Sequence, residues 1–518
     1  MAKKYAFIAL DVGTHAVRAC VFSLGGDSAL WQMSEVFSCD ISLDSPQPRY
    51  IEQNPTELWQ ALKSVYSQAL DLATNKQLYT DDIHVGMAVQ RSSVLVWERS
   101  SGQALSPILS WQDTRGYKAI EQLNAAERES IALLTGLRPS PHYGATKLAL
   151  LQKQYGLQTT PAQTHTTTLG PLAAWLIKQL TGNNACDPVN AARTLLFNRK
   201  QACWDKSLCR MFSVMHAQLP DVKKSATNYG HIKWPKSEHS IKNHRISAHL
   251  KTVMGDQNAA YVAMRYSQLP AAVNFKKPLV MNIGSGAFVL GQCNKENDSG
   301  NLGLLTSLAF NDDDKEEWLM EGTVNSAGTA LSHWRESLAE PLSEHSLFTQ
   351  LPQWLLNDSY CEEQGTCFYL NTAAGIGSPF WLTRFSSSTQ IFVNYDGERC
   401  SPSIPQQAVA IINSIAFLLV ANILQFQQAS EASRYDGILA TGGLSRVTGL
   451  IEQVSDLCDL PIFVTKCHEA TLQGTAMLGS KFMYKPRLQG HIVAAKKSSP
   501  VLLKRYERYI QLIKMQAL

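Results

Sequence analysis

Three small-residue turns, each after a short apolar run, stand far apart in this 518-residue chain: Asp11-Val12-Gly13-Thr14, Gly284-Ser285-Gly286 and Gly442-Gly443. A compact apolar run reads as a strand, and glycine at its end lets backbone amides approach an anion with no side chain in the way. Each turn alone is also what a plain structural bend looks like; three in matching contexts point to one phosphorylated ligand. The chain is too long for a single hydrophobic core, so two lobes of roughly 250 residues with a cleft between them are expected. Together these features suggest a phosphotransferase divided between two lobes.

Composition narrows the alternatives. With 45% hydrophobic and 17% charged residues the chain has ample apolar surface to bury, which argues against disorder. A net charge of +4 over this length leaves no electrostatic footprint for nucleic acid. The basic excess gathers at the end: from Lys481 onward nine Lys or Arg stand against Glu507 alone, which reads as a solvated tail helix or as a surface for an anionic partner. Eleven scattered cysteines, odd in number and without a C-x-x-C pair, fit reduced thiols and a cytoplasmic address. The start Met-Ala-Lys-Lys runs directly into a strand and lacks the apolar core of a signal peptide. Residues 408–426 are the most apolar stretch but carry Asn413, Ser414, Asn422 and Gln425, so a buried helix is expected and no membrane span.

The runs at 5–10 and 17–22 read as a β-hairpin around Gly13. Residues 55–73 have helical spacing, with Asn54 as N-cap and Pro55 in the first turn. Strands are expected at 83–89 and 107–110, and a helix at 169–180. After a basic, histidine-bearing stretch at 223–251 the plan restarts: strands at 278–282, to 290 and at 302–310, then a helix at 326–338. The second half thus repeats the opening of the first in architecture and not in text. A long helix at 408–428, a strand at 437–440 and a helix at 447–457 follow. The expected division is an N-terminal lobe at 1–250, a C-terminal lobe at 251–485 and a basic, helical tail at 486–518. This is an α/β chain, in which sites gather where strands end.

Phosphoryl transfer asks a protein for donors to the phosphates, a metal ion to spread charge and a base for the acceptor proton. Gly255-Asp256-Gln257-Asn258 offers a carboxylate at the start of a helix over 259–265; Asp256 is a candidate base and equally a candidate N-cap. Arg91 at one strand end and Trp111 at another suit a hydroxylated substrate, the guanidinium donating to oxygens and the indole covering an apolar face. A surface arginine and a core tryptophan would look the same in sequence.

These residues, with Leu10-Asp11-Val12-Gly13-Thr14, Arg18, Val89-Gln90-Arg91, Ser110-Trp111-Gln112-Asp113-Thr114-Arg115, residues 143–147, 190–198, 283–288, Glu321-Gly322, 375–381 and 441–444, run in the order seen in the FGGY carbohydrate kinases. The chain resembles that family along almost its whole length, nearest to its glycerol kinase-like members. The resemblance implies a two-lobed actin-like ATPase (ribonuclease H-like) fold with a central cleft, ATP as phosphoryl donor and Mg2+ near Asp11 and Asp256. It implies Asp256 as general base and a first phosphate loop of Gly13, Thr14, His15 and Arg18. Gly284 and Ser285 become the second loop, and Gly328, Gly442 and Gly443 the adenosine side. The acceptor pocket is implied to comprise Arg91, Ser92, Trp111, His142, Gln257 and Phe288.

Two departures bear on the acceptor. Glycerol kinases resemble one another in an Arg-Glu pair that here reads Arg91-Ser92, and His142 stands where a tyrosine would contact glycerol. A smaller Ser92 leaves room for a four- to six-carbon polyol or a ketose such as xylulose or ribulose. The expected partners are ATP and a small sugar or polyol, without nucleic acid or membrane and compatible with a homo-oligomer. A catalytically silent sensor on the same fold is the competing reading.

Overall fold

The N-terminal apolar run forms the strand Tyr5–Val12, which turns at Gly13 and returns as Ala16–Leu24, with Asp11 opposite Arg18 in antiparallel register. In this computed structural model the residues described are 4–24, 31–79, 82–156, 166–233, 247–295, 302–340, 342–356, 366–371, 375–382, 391–429, 434–496 and 499–515. The middle of the basic 223–251 stretch lies outside them. Tyr5–Val12 also pairs in parallel with Ile83–Val89, which pairs in parallel with Ala248–Gly255. These strands centre the first seven-stranded sheet. The Pro55–Asn75 helix packs on it, opened by the Asn54 side chain, which accepts from the Thr56 and Glu57 amides.

The second seven-stranded sheet repeats this plan. Pro278–Ile283 and Ala287–Cys293 form the hairpin, and parallel strands Gly437–Thr441 and Ile462–Thr465 follow beside it. A helix leaves the third parallel strand region in each half, Asp256–Tyr266 in the first and Ala470–Gly479 in the second, and the two helices pack on each other. Contact is close enough that a Cβ on Gly474 would stand 1.8 Å from the Ala259 carbonyl oxygen. The architectural repeat read from sequence is therefore a duplicated sheet with its two helices between the lobes. The Ile404–Gln428 helix has the length and composition of a membrane span, but 89% of its most apolar window is buried in the second lobe.

Several expectations need correction. The boundary placed at 250 falls inside Ala248–Gly255, a strand of the first sheet. The helix expected from 169 begins at Leu172, because Thr167–Pro171 pairs as a strand with Val94–Glu98 and Pro171 then caps the turn into the helix. The helix expected from 447 begins at Leu450, after a 3-10 turn over Gly443–Arg446. The basic tail is not a solvated helix. Gly490–Val493 adds a strand to the second sheet, and the Pro500–Met515 helix sinks Tyr509, Leu512 and Ile513 into the second-lobe core.

Candidate active site

Arg91 follows the Ile83–Val89 strand and its side chain is 8% exposed. Its guanidinium donates to Glu321 at 2.9 Å and to the Asn258 side chain at 3.4 Å, lies 3.7 Å from Asp256 and stands over the Phe288 ring at 5.7 Å. Asp256 is the first residue of its helix, with Gly255 as cap residue, so the N-cap reading is displaced by one position. Its carboxylate accepts from the Gln257 amide at 2.7 Å. Burial raises the Asp256 pKa, and Arg91 opposes that rise. Gln257 accepts from the Asn282 side chain at 2.8 Å, which ties the Asp256 turn to the second-lobe hairpin.

Ser92 sits in the left-handed region, φ 66°, in the turn after Arg91. Trp111 donates its indole N–H to the Thr14 hydroxyl at 3.0 Å, joining the acceptor side to the first glycine turn. The His142 ring nitrogen Nδ1 is 3.1 Å from the Trp111 carbonyl oxygen, and burial lowers its pKa below the ordinary histidine value. Arg91, Ser92, Trp111, His142, Gln257 and Phe288 are thus linked through neighbouring turns of both lobes.

On the first glycine turn, the Gly13 amide donates to Ala16, His15 is exposed, and Gln90 donates to the Gly13 carbonyl at 3.1 Å. Arg18 is committed to carboxylates: it binds Asp11 at 2.6 Å and, across the lobes, Glu469 at 3.0 Å. Asp11 is 3% exposed, and burial raises its pKa to about 6 against the pull of Arg18, with Asp256 adding to the rise. The two carboxylates are therefore close enough to repel. On the second turn, Gly284 accepts from the Gly328 amide at 3.0 Å, and Ser285 accepts from the Ala327 and Thr329 amides. Gly328, predicted for the adenosine side, is held against the second loop.

Gly442 has φ 94°, and its missing Cβ would lie 2.5 Å from the Ile283 carbonyl oxygen. Gly443 faces open space. Both line a cavity of about 290 Å³ bounded by Asn282, Thr441, Arg446, His468 and Thr471. The third glycine turn thus packs against the strand end that leads into the second.

The N-terminal domain model of the FGGY family of carbohydrate kinases matches residues 6–262 and the C-terminal domain model matches residues 279–483. The chain belongs to the FGGY family of carbohydrate kinases. FGGY relatives include the glycerol kinase of Thermus brockianus, 28% identical over 485 residues, covering 90% of this chain and 88% of that one. The Mycoplasma genitalium glycerol kinase is 27% identical over 483 residues, covering 92% and 89%. Among solved structures, Plasmodium falciparum glycerol kinase with ADP superposes with a TM-score of 0.77 at 20% identity, covering 99% of this chain and 98% of that one. The Lactobacillus acidophilus xylulose kinase gives 0.75 at 16% identity, covering 99% and 97%. The fold is the two-lobed actin-like ATPase fold, and the protein is an ATP-dependent carbohydrate kinase.

Within this FGGY frame, three residues that sequence reasoning had quoted inside motifs without a role take up definite positions. Glu321, 1% exposed, receives Arg91 from one side and Arg193 from the other, and Arg193 also donates to the Tyr143 hydroxyl. Burial raises the Glu321 pKa, yet the two guanidinium groups outweigh it and hold the carboxyl at about 2. Lys147 is fully buried in the first lobe. No local pattern marks these residues; most of their partners are remote in sequence, 230 positions away for Arg91 and Glu321.

Proposed function

We propose that the protein transfers the γ-phosphoryl group of ATP to a hydroxyl of a four- to six-carbon polyol or ketose, with Asp256 as general base. The observation that carries this reading is Asp256, 28% exposed, at a helix start 3.7 Å from the Arg91 guanidinium and near enough to Asp11 to raise its pKa. A carboxylate whose pKa is raised by burial is a better proton acceptor than a solvated one, and it stands beside a guanidinium that can hold a neighbouring hydroxyl.

Arg91, Ser92, Trp111, His142, Gln257 and Phe288 bind and orient the acceptor. Gly13, Thr14 and His15 face the phosphates from the first lobe, with Arg18 engaged by Asp11 and Glu469, and Gly284 and Ser285 face them from the second. Gly328, Gly442 and Gly443 line the adenosine side. The Trp111–Thr14 hydrogen bond supports this division, because it places acceptor and donor elements in one framework. Lobe closure then excludes water from the transferred group.

Asp11 and Asp256 fit Mg2+. Among the described residues no cluster of three or more metal-ligating side chains exists, and magnesium is commonly held by one or two carboxylates together with substrate phosphates. When bound, the ion neutralises charge on the phosphates. Asp11 takes part as its carboxylate, which Arg18 keeps in place.

Coupled ADP release across glycerol, tetritols, pentitols, hexitols and the corresponding ketoses tests the reading. Turnover is expected to be highest for an acceptor of four to six carbons. Glycerol outperforming every longer polyol and ketose would sink the acceptor assignment, and ATP binding without turnover of any acceptor would favour the sensor reading.

A further inference from the structure

Lys147 lies on the Gly144–Gln154 helix with no exposed surface. Its ammonium donates to three backbone carbonyls, Ser92, Ser110 and His142, each at 2.8 Å. Those carbonyls belong to three separate segments: the turn after Ile83–Val89, the end of Ile108–Leu109 and the loop before the lysine's own helix. Each segment carries acceptor-side residues: Arg91 and Ser92 in the first, Trp111 after Ser110 in the second, and His142 in the third. A neutral amine has only two hydrogens, so the full set of three bonds requires the charged form. The left-handed turn at Ser92 is where that carbonyl is aimed inward.

We propose that Lys147 is the positioning residue of the acceptor pocket, gathering three loop carbonyls at one cation so that Arg91, Trp111 and His142 are set relative to one another. The inference rests on the acceptor reading given above. Uncompensated, burial of an ammonium is costly; here three bonds to backbone carbonyls compensate it and tie three segments to one point. The charged and titratable groups around it are Asp113, Arg115 and His142, of which Asp113 favours the cation and Arg115 disfavours it. Burial brings the lysine down to about 7.

The test is Lys147→Met, which keeps length and removes all three donors. Acceptor KM is expected to rise at least tenfold while ATP KM stays within twofold, and amide exchange is expected to quicken in segments 90–93, 109–113 and 140–143. An acceptor KM within twofold of the wild type in the folded variant would overturn the proposal. Should the variant not fold, the wild type decides: its acceptor KM is expected to rise severalfold between pH 6.5 and 8.5 with ATP KM unchanged, and a flat acceptor profile overturns the proposal. Should the wild type phosphorylate no acceptor, the functional reading fails by itself. Amide exchange in the variant, or in the wild type across the same pH range, then decides whether Lys147 positions the three segments, unchanged exchange counting against it.

Discussion

Arg91 of the first lobe and Glu321 of the second meet at 2.9 Å, with side chains 8% and 1% exposed. Arg193, also from the first lobe, holds the other side of the same carboxylate, so one acidic residue joins two basic ones across the interlobe contact. Glu321→Gln removes the carboxylate shared by two buried guanidinium groups, leaving Arg91 with only Asp256 at 3.7 Å. The expected loss is about 3–5 kcal/mol of stability, read from urea midpoints. Because the folded pKa is held at about 2 against an ordinary 4.5, the stabilisation is complete above pH 4.5 and is lost as pH falls towards 2. Wild type and variant should therefore converge in that window.

Asp256→Asn removes the proton acceptor and keeps the shape. kcat is expected to fall by about 10²–10⁴ with ATP affinity retained, measured by coupled turnover and nucleotide titration. Unchanged turnover would remove Asp256 from the mechanism.

Asp11 offers a test with the opposite sign. Its folded pKa, about 6, lies above the ordinary 3.8, so the ionised carboxylate costs stability once pH exceeds 3.8, and the full cost is present above 6. Asp11→Asn should be the more stable protein at pH 7 without nucleotide, by up to about 3 kcal/mol, and the gain should vanish near pH 4. Activity should be lost in the same variant. Thermal unfolding at the two pH values measures the difference.

The adjacent glycines Gly442 and Gly443 should separate stability from binding. Gly442→Ala meets the Ile283 carbonyl oxygen at 2.5 Å in a left-handed conformation, so a loss of about 1 kcal/mol or more is expected. Gly443→Val enters open space beside the cavity; stability should hold while ATP KM rises at least tenfold.

Tyr509, with no exposed surface, anchors the C-terminal helix to the second-lobe core. Tyr509→Ala should cost about 3–5 kcal/mol in urea unfolding. Val501→Ala on the same helix, 49% exposed, should change little.

Much of this was legible in the chain because it is local. The Gly13 hairpin, the Asn54 cap and the helix read at 408–428 are written in neighbouring residues, and the order of many motifs along the chain carried the family. What sequence hid is what tertiary contact decides. Residues 169–171 read as the first turn of the helix that follows, and only pairing with Val94–Glu98 makes Thr167–Pro171 a strand. The tail was legible as a helix, but its lysines and arginines masked the buried face that carries Tyr509, Leu512 and Ile513. Glu321 and Lys147 look like ordinary charged residues until distant segments arrive to meet them.

The Ala470–Gly479 helix rests on the Asp256–Tyr266 helix and on the first sheet, where the Phe7 ring lies against Gly479. The halves named by sequence are therefore not independent folding units. A fragment ending at 266 would lack cover for Phe7 and Ala9, while its complement would carry an apolar helix with nothing to sit on. Split expression should yield soluble material only when both pieces are made together, since the earliest strand of the chain waits for one of its latest helices.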